Sequence, residues 1–239
     1  MGETAWLWVG VAGMTVGAAV LLVTGPRGSK DEHNHTILHS FVPMVAAALY
    51  LLMALGQGSL TLGGGREFLY ARYVDWTITT PLLLFALSKT ALGEARTRGG
   101  LVFALLGADV YMILTGLVAG LSPSGSEAKW IWYLVSCGAF LAVYFVLWGP
   151  MLKEARARSA NAAEAYVRHA TILSVLWFLY PVVFLVGPDG AGMITPVLAT
   201  LLFLILDLTT KVIYAFVTYA STKKVSQTSP SENREPVLA

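Results

Sequence analysis

PVLATLLFLILDLTTKVIYAFVTYAST, residues 196–222, decides what kind of chain this is. It is apolar apart from a few hydroxyls, Asp207 and Lys211. The stretch exceeds the roughly 20 residues that cross a bilayer as a helix. A charged lysine in mid-membrane costs roughly 2.5 to 3.5 kcal/mol or more, so it needs a partner or a purpose. Asp207 lies four residues earlier, on the same helix face one turn away. Two readings follow from the pair alone. It is a buried ion pair tying helices together, or it is an amine kept dry beside a carboxylate for Schiff-base chemistry with a carbonyl cofactor.

The whole chain shares this character. Its 239 residues are 56% hydrophobic and only 13% charged, with a mean hydropathy of +0.67. A soluble domain carries about 25% charged residues, so this is a polytopic membrane protein. A formal net charge of +2 gives no sign of a nucleic-acid partner. The single Cys137 lies in an apolar run, cannot form an internal disulfide and reads as a core residue. No metal site and no enzyme activity are expected. The first segment lacks a basic leader and a small-residue cleavage site, so it reads as a retained helix.

Seven stretches are long enough to cross, near 4–25, 33–56, 68–90, 99–120, 129–149, 164–187 and 193–220. The fold class is therefore an all-α bundle of seven transmembrane helices. The connections carry Gly, Pro, Ser and charge, as in GQGSLTLGGGRE and the KEARARSANAAE run. Residues 1–220 form one domain, and 221–239 read as a disordered cytoplasmic tail. Twelve of the 16 lysines and arginines fall on one side, among them Arg27, Lys89, Arg96, Arg98, Arg158 and Lys223. Only Arg66 and Lys129 fall on the other side, and Arg72 and Lys211 lie within segments. The bias puts the N-terminus outside and the C-terminus in the cytoplasm of a multi-pass cell-membrane protein.

The third segment, YARYVDWTITTPLLLFAL (70–87), brings in Arg72 and Asp75 one turn apart. Thr79, four residues after Asp75, is placed to hydrogen-bond it. The fourth segment carries Asp109, and the sixth has Trp177 and Tyr180 on one face before Pro181. One cation and two carboxylates around a lysine amine resemble a protonated Schiff base with a complex counterion.

With seven segments, ARYVDWTITTPLLL, LLGADVYMILTGL, LWFLYPVVFLVGPDGAG and LLFLILDLTTKV, the chain resembles the microbial (type I) rhodopsins of the bacteriorhodopsin kind. The resemblance covers roughly residues 5–220. It implies all-trans retinal bound to Lys211 as a protonated Schiff base, with Asp75 as primary counterion and proton acceptor. Asp207 then matches the second counterion, with Tyr50 and Tyr180 as its hydrogen-bond partners. Trp76, Trp177 and Tyr180 match the walls of the retinal slot, and Pro181 belongs to its floor. Retinal contacts are also implied at Leu83, Met112, Trp132 and Ser136. Thr80 and Asp109 match a contact between the third and fourth helices, and Arg72 the arginine on the exit path.

Several positions depart from the family's proton-pump pattern. Eleven residues after the acceptor, where a carboxylate donor often stands, is Ala86. His39 precedes Tyr50 by eleven residues on an antiparallel helix; the resemblance implies similar depth for Tyr50 and Asp75, so His39 is expected beside Ala86 and is proposed as the donor or relay. Of the two usual release glutamates, one is matched by Asp189 and the other by Ala199. Thr210 resembles a threonine of haloarchaeal phototaxis receptors that faces the tyrosine matching Tyr180. The resemblance implies a light-driven outward proton pump; the alternative is a photosensory receptor signalling to a partner transducer. The apolar outer faces suit a homo-oligomer, trimer or pentamer alike.

Overall fold

The computed structural model describes residues 2–93 and 99–219. The predicted tail, 221–239, lies outside the described residues, as do Arg96, Arg98, Lys223, Lys224 and Arg234 among the cations behind the orientation. Seven long helices run through the described residues. They are α1 (Glu3–Thr24), α2 (Lys30–Ala54), α3 (Tyr70–Leu92), α4 (Gly100–Leu121), α5 (Glu127–Arg158), α6 (Ala160–Val186) and α7 (Pro196–Tyr219). Six of them are long and apolar enough to cross a membrane. The other, α3, is of similar length and carries Arg72, Asp75 and Lys89.

The helix starts are written in the sequence. Ser29 and Glu32 form a reciprocal capping box at α2, with bonds of 3.1 and 3.2 Å. Ser126, Ser159 and Thr195 each accept a backbone N–H in the first turn of α5, α6 and α7.

Two elements differ from the sequence reading. The KEARARSANAAE run is almost wholly helical rather than a loop, because Lys, Glu, Ala and Arg are good helix formers. It extends α5 to Arg158 and starts α6 at Ala160, with Ser159 the one extended residue between them. The GQGSLTLGGGRE connection folds as a small hairpin, β1 (Leu60–Thr61) against β2 (Glu67–Phe68), with Leu60 opposite Phe68. Gly64 and Gly65 turn it at φ of 78° and 77°, a region that disfavours other residues.

Two helices carry a wider π turn. In α5 it spans Leu147–Met151 around Pro150, which has no N–H for the helical ladder, and Tyr166 Oη donates to Leu147 O at 2.7 Å. In α7 it spans Thr209–Ile213 and carries Lys211. Such turns reset the rotation of the helix beyond them.

Small residues let α1 approach its neighbours, as is usual where helices pack in lipid. A Cβ on Gly17 would lie 2.6 Å from Val212, beside the π turn of α7, and one on Gly10 would lie 2.2 Å from the Tyr50 ring. Gly10→Ala is expected to displace Tyr50 and to cost about 1–3 kcal/mol, the usual penalty of overpacking. Thermal unfolding followed by circular dichroism checks this.

Candidate functional site

Lys211 is 1% exposed, at the centre of the bundle. Its Nζ donates to Asp75 Oδ2 on α3 at 2.5 Å and to Asp207 Oδ1 on α7 at 2.8 Å. Both carboxylates are fully buried. The three charges satisfy one another, which is the condition for holding them at this depth.

The two aspartates are not equivalent. Asp207 accepts four donors: Lys211 Nζ, Tyr180 Oη at 2.9 Å, Trp76 Nε1 at 3.2 Å and, on Oδ2, Tyr50 Oη at 2.7 Å. Three of these donors meet Oδ1 and one meets Oδ2, so neither oxygen of Asp207 is without a partner and the bonds favour its anion. Asp75 Oδ1, by contrast, is buried with no hydrogen-bond partner among the described residues. Of the pair, Asp75 is the one with room for a proton.

Other predicted residues fall as follows. Thr79 Oγ1 donates to the Asp75 backbone carbonyl at 2.8 Å, the carbonyl four residues back that a helical threonine reaches, and lies beside the Asp75 carboxylate. Thr80 Oγ1 lies 2.7 Å from Asp109 Oδ2 and joins α3 to α4. Thr210 and Tyr180 hydroxyls are 3.1 Å apart. Arg72 makes no ion pair with Asp75. Its guanidinium lies 4.4 Å from the Phe203 ring centre, and Nη2 donates to Thr200 Oγ1 at 3.2 Å.

Beside the charges runs an apolar cavity. Trp76 and Thr80 of α3, Met112 of α4, Ser136 of α5, and Trp177, Tyr180 and Pro181 of α6 line it, as expected. Trp132 does not. It is 38% exposed, while Tyr133, Ser136, Cys137 and Phe140 form the lining face of α5. Those four follow helical spacing, and Trp132 is rotated off their face. Leu83 is buried in the adjoining core rather than in the lining. Tyr73, Gly116 and Phe184 also line the cavity and were not singled out in the sequence. Gly116, mid-helix in α4, is the one whose residue type hinted at a close approach.

At the end of the bundle where α2 begins, His39 is 1% exposed. Its ring lies 4.3 Å from that of His35, 5.9 Å from Tyr219 and 6.2 Å from Tyr214, and neither ring nitrogen has a hydrogen-bond partner among the described residues. Ala86 is buried as well.

At the opposite end, Asp189 in the α6–α7 loop pairs with Arg66 Nη1 at 2.6 Å, and Lys129 Nζ donates to the Asp189 carbonyl. Arg66 Nη2 also reaches Gly120 O at 2.7 Å, so the cluster fastens the hairpin side to α4. Burial pushes the Asp189 carboxyl above the usual carboxylate range, against the opposing pull of Arg72, Arg66 and Lys129.

Residues 1–225 match the family described as "Bacteriorhodopsin-like protein". The chain is 40% identical over 216 residues to a bacteriorhodopsin of Haloterrigena sp. (strain arg-4), covering 88% of this chain and 84% of that one. The crystal structure of thermophilic rhodopsin from Rubrobacter xylanophilus superposes with a TM-score of 0.86 at 37% identity, covering 94% of this chain and 97% of that one. The light-driven proton pump Coccomyxa subellipsoidea rhodopsin superposes with a TM-score of 0.82 at 31% identity, covering 92% and 97%. The chain belongs to the bacteriorhodopsin-like family of microbial (type I) rhodopsins. It is a multi-pass protein of the cell membrane, and its cofactor is retinal.

The residues present fit that cofactor. Retinal is a polyene aldehyde, and the cavity gives it aromatic and apolar walls. Trp76 and Tyr180 both line the cavity and both bond Asp207, so the slot adjoins the Lys211 amine that the aldehyde needs.

Proposed function

We propose that the chain is a light-driven outward proton pump, a transporter rather than an enzyme, with its N-terminus outside and its C-terminus cytoplasmic. One observation carries the reading: Lys211 Nζ is hydrogen-bonded to an aspartate with an unpartnered oxygen, Asp75, beside an aspartate with both oxygens partnered, Asp207. Retinal bound at Lys211 supplies light absorption and a change of shape that redirects the proton on the lysine nitrogen.

The chain's own groups do the rest. A proton moving from the Lys211 nitrogen to Asp75 leaves both neutral, so no charge is separated in low dielectric. Asp207 keeps its bonds from Tyr50, Tyr180 and Trp76, and with them its charge. Arg72, already bonded to Thr200, stands on the outer side of Asp75 as the next group on the exit path. The pairing of sides with outside and cytoplasm rests on the lysine and arginine bias, which supports outward transport through Arg72.

Reloading from the cytoplasm falls to His39 in place of the missing carboxylate at Ala86. An imidazole can accept a proton at one ring nitrogen and give one up at the other, and the tilted His35 ring, 4.3 Å away, extends the path towards the start of α2. His39→Ala is expected to slow return of the proton to the Lys211 nitrogen by about 10²-fold, the low end of what a positioned acid–base group contributes. Time-resolved absorption with and without azide checks this: azide, a small soluble donor, should restore the rate.

The Thr210–Tyr180 contact favours a second reading, a photosensory receptor with a separate transducer protein. Large exposed side chains such as Phe103 and Phe145 suit lipid or a homo-oligomer. Light-induced acidification of a cell suspension, abolished by a protonophore, tests pump against sensor. A coloured pigment that moves no protons would favour the sensor.

A further inference from the structure

Where the family's second release glutamate stands, this chain has Ala199, and the proton needs another way out. We propose that Glu3 is the carboxylate through which it leaves, reached from Arg72 through Thr200; the proposal rests on the pump reading above. Arg72 Nη2 donates to Thr200 Oγ1 at 3.2 Å, and Thr200 Oγ1 donates to Glu3 Oε1 at 2.8 Å. The three residues sit on α3, α7 and α1, and both bonds point the same way, from the buried arginine outwards. Arg72 is 5% exposed and Thr200 is 2% exposed, whereas Glu3 is half-buried. The chain of bonds therefore begins in the interior and ends at the surface. A small cavity of mixed polar and apolar lining runs alongside it, bordered by Arg72, Thr200, Glu3, Glu67 and Asp189 among others.

A hydroxyl can relay a proton because it donates one and accepts another at the same oxygen. Thr200 passes its proton to Glu3 Oε1 and takes in its place, from the cavity beside Arg72, the proton that Asp75 gives up. Glu3 then releases its proton to the outer solution and is a carboxylate again. Asp189 borders the same cavity, but Arg66 holds its Oδ1 at 2.6 Å, and no hydrogen bond joins it to Arg72. Protonating Asp189 would cost that ion pair and the anchorage of Arg66, whereas Glu3 makes no ion pair among the described residues.

The test is flash excitation of the full retinal-loaded chain in vesicles, with a pH-sensitive dye on the face that carries Glu3. Dye protonation is timed against deprotonation of Asp75. In Glu3→Gln and Thr200→Val, release is expected to lag by on the order of tenfold or more, since a positioned proton-transfer group contributes about 10²–10⁴-fold. Thr200→Ser should restore the timing, and Glu67→Gln, on the same cavity, should leave it unchanged. Each variant is first required to show the parent's visible band, which separates a lost relay from a lost fold. Unaltered release in Glu3→Gln would overturn the proposal, as would a lag seen in Asp189→Asn but not in Glu3→Gln. Absence of any release by the parent chain on that face would instead remove the pump reading, and this proposal with it.

Discussion

Lys211→Ala yields a chain that stays colourless when retinal is added. No other amine reaches the slot: among the described residues Lys211 is the one lysine in contact with Asp75 and Asp207. The substitution also strands two buried carboxylates, and breaking a buried pair costs about 3–5 kcal/mol. A colourless mutant could therefore be an unfolded one. Adding retinal together with a small alkyl amine separates the cases, because the amine fills the space of the truncated side chain. A folded slot regains a visible band with the amine and has none without it. A normal band in the mutant without free amine contradicts the assignment of Lys211.

Asp75→Asn is the second large effect. The amide keeps the shape of the carboxylate but removes its charge and its capacity to take a proton. Loss of the negative charge beside the cationic nitrogen shifts the visible band to longer wavelength, because the charge stabilises the ground state most. Outward transport falls by about 10²–10⁴-fold, the usual contribution of a positioned acid–base group. Asp207 is a poor substitute, since Tyr50, Tyr180 and Trp76 all donate to it and hold it as an anion. If Asp75 served only as an ion-pair partner and took no proton, the mutant's band would still shift but outward transport would persist. Visible spectra and light-induced pH change in the same membranes distinguish the two.

Most of the bundle and the centre of the site were legible in the sequence because membrane burial makes charge conspicuous. Arg72, Asp75, Asp207 and Lys211 stand out in apolar segments, and four-residue spacing pairs Asp207 with Lys211 within one helix. What the sequence left open depends on rotation and on distant contacts. Trp132 and Tyr133 are adjacent aromatics, and only the rotation of α5 decides that Tyr133 faces the cavity. Thr79 bonds the backbone carbonyl of Asp75, which four-residue spacing alone does not distinguish from its carboxylate. The Thr200–Glu3 bond joins residues 197 apart, beyond any local periodicity. The KEARAR run looked like a loop because it is charged, yet charge at a membrane surface is compatible with helix, and its residues favour one.

The difference between the two aspartates is the centre of the mechanism, and time-resolved infrared spectroscopy of the carboxyl stretch tests it most directly. Light should produce a protonated-carboxyl band in step with loss of the proton from the Lys211 nitrogen. That band should change frequency in Asp75→Glu and keep its frequency in Asp207→Glu. A band that moves in Asp207→Glu and not in Asp75→Glu would contradict the account.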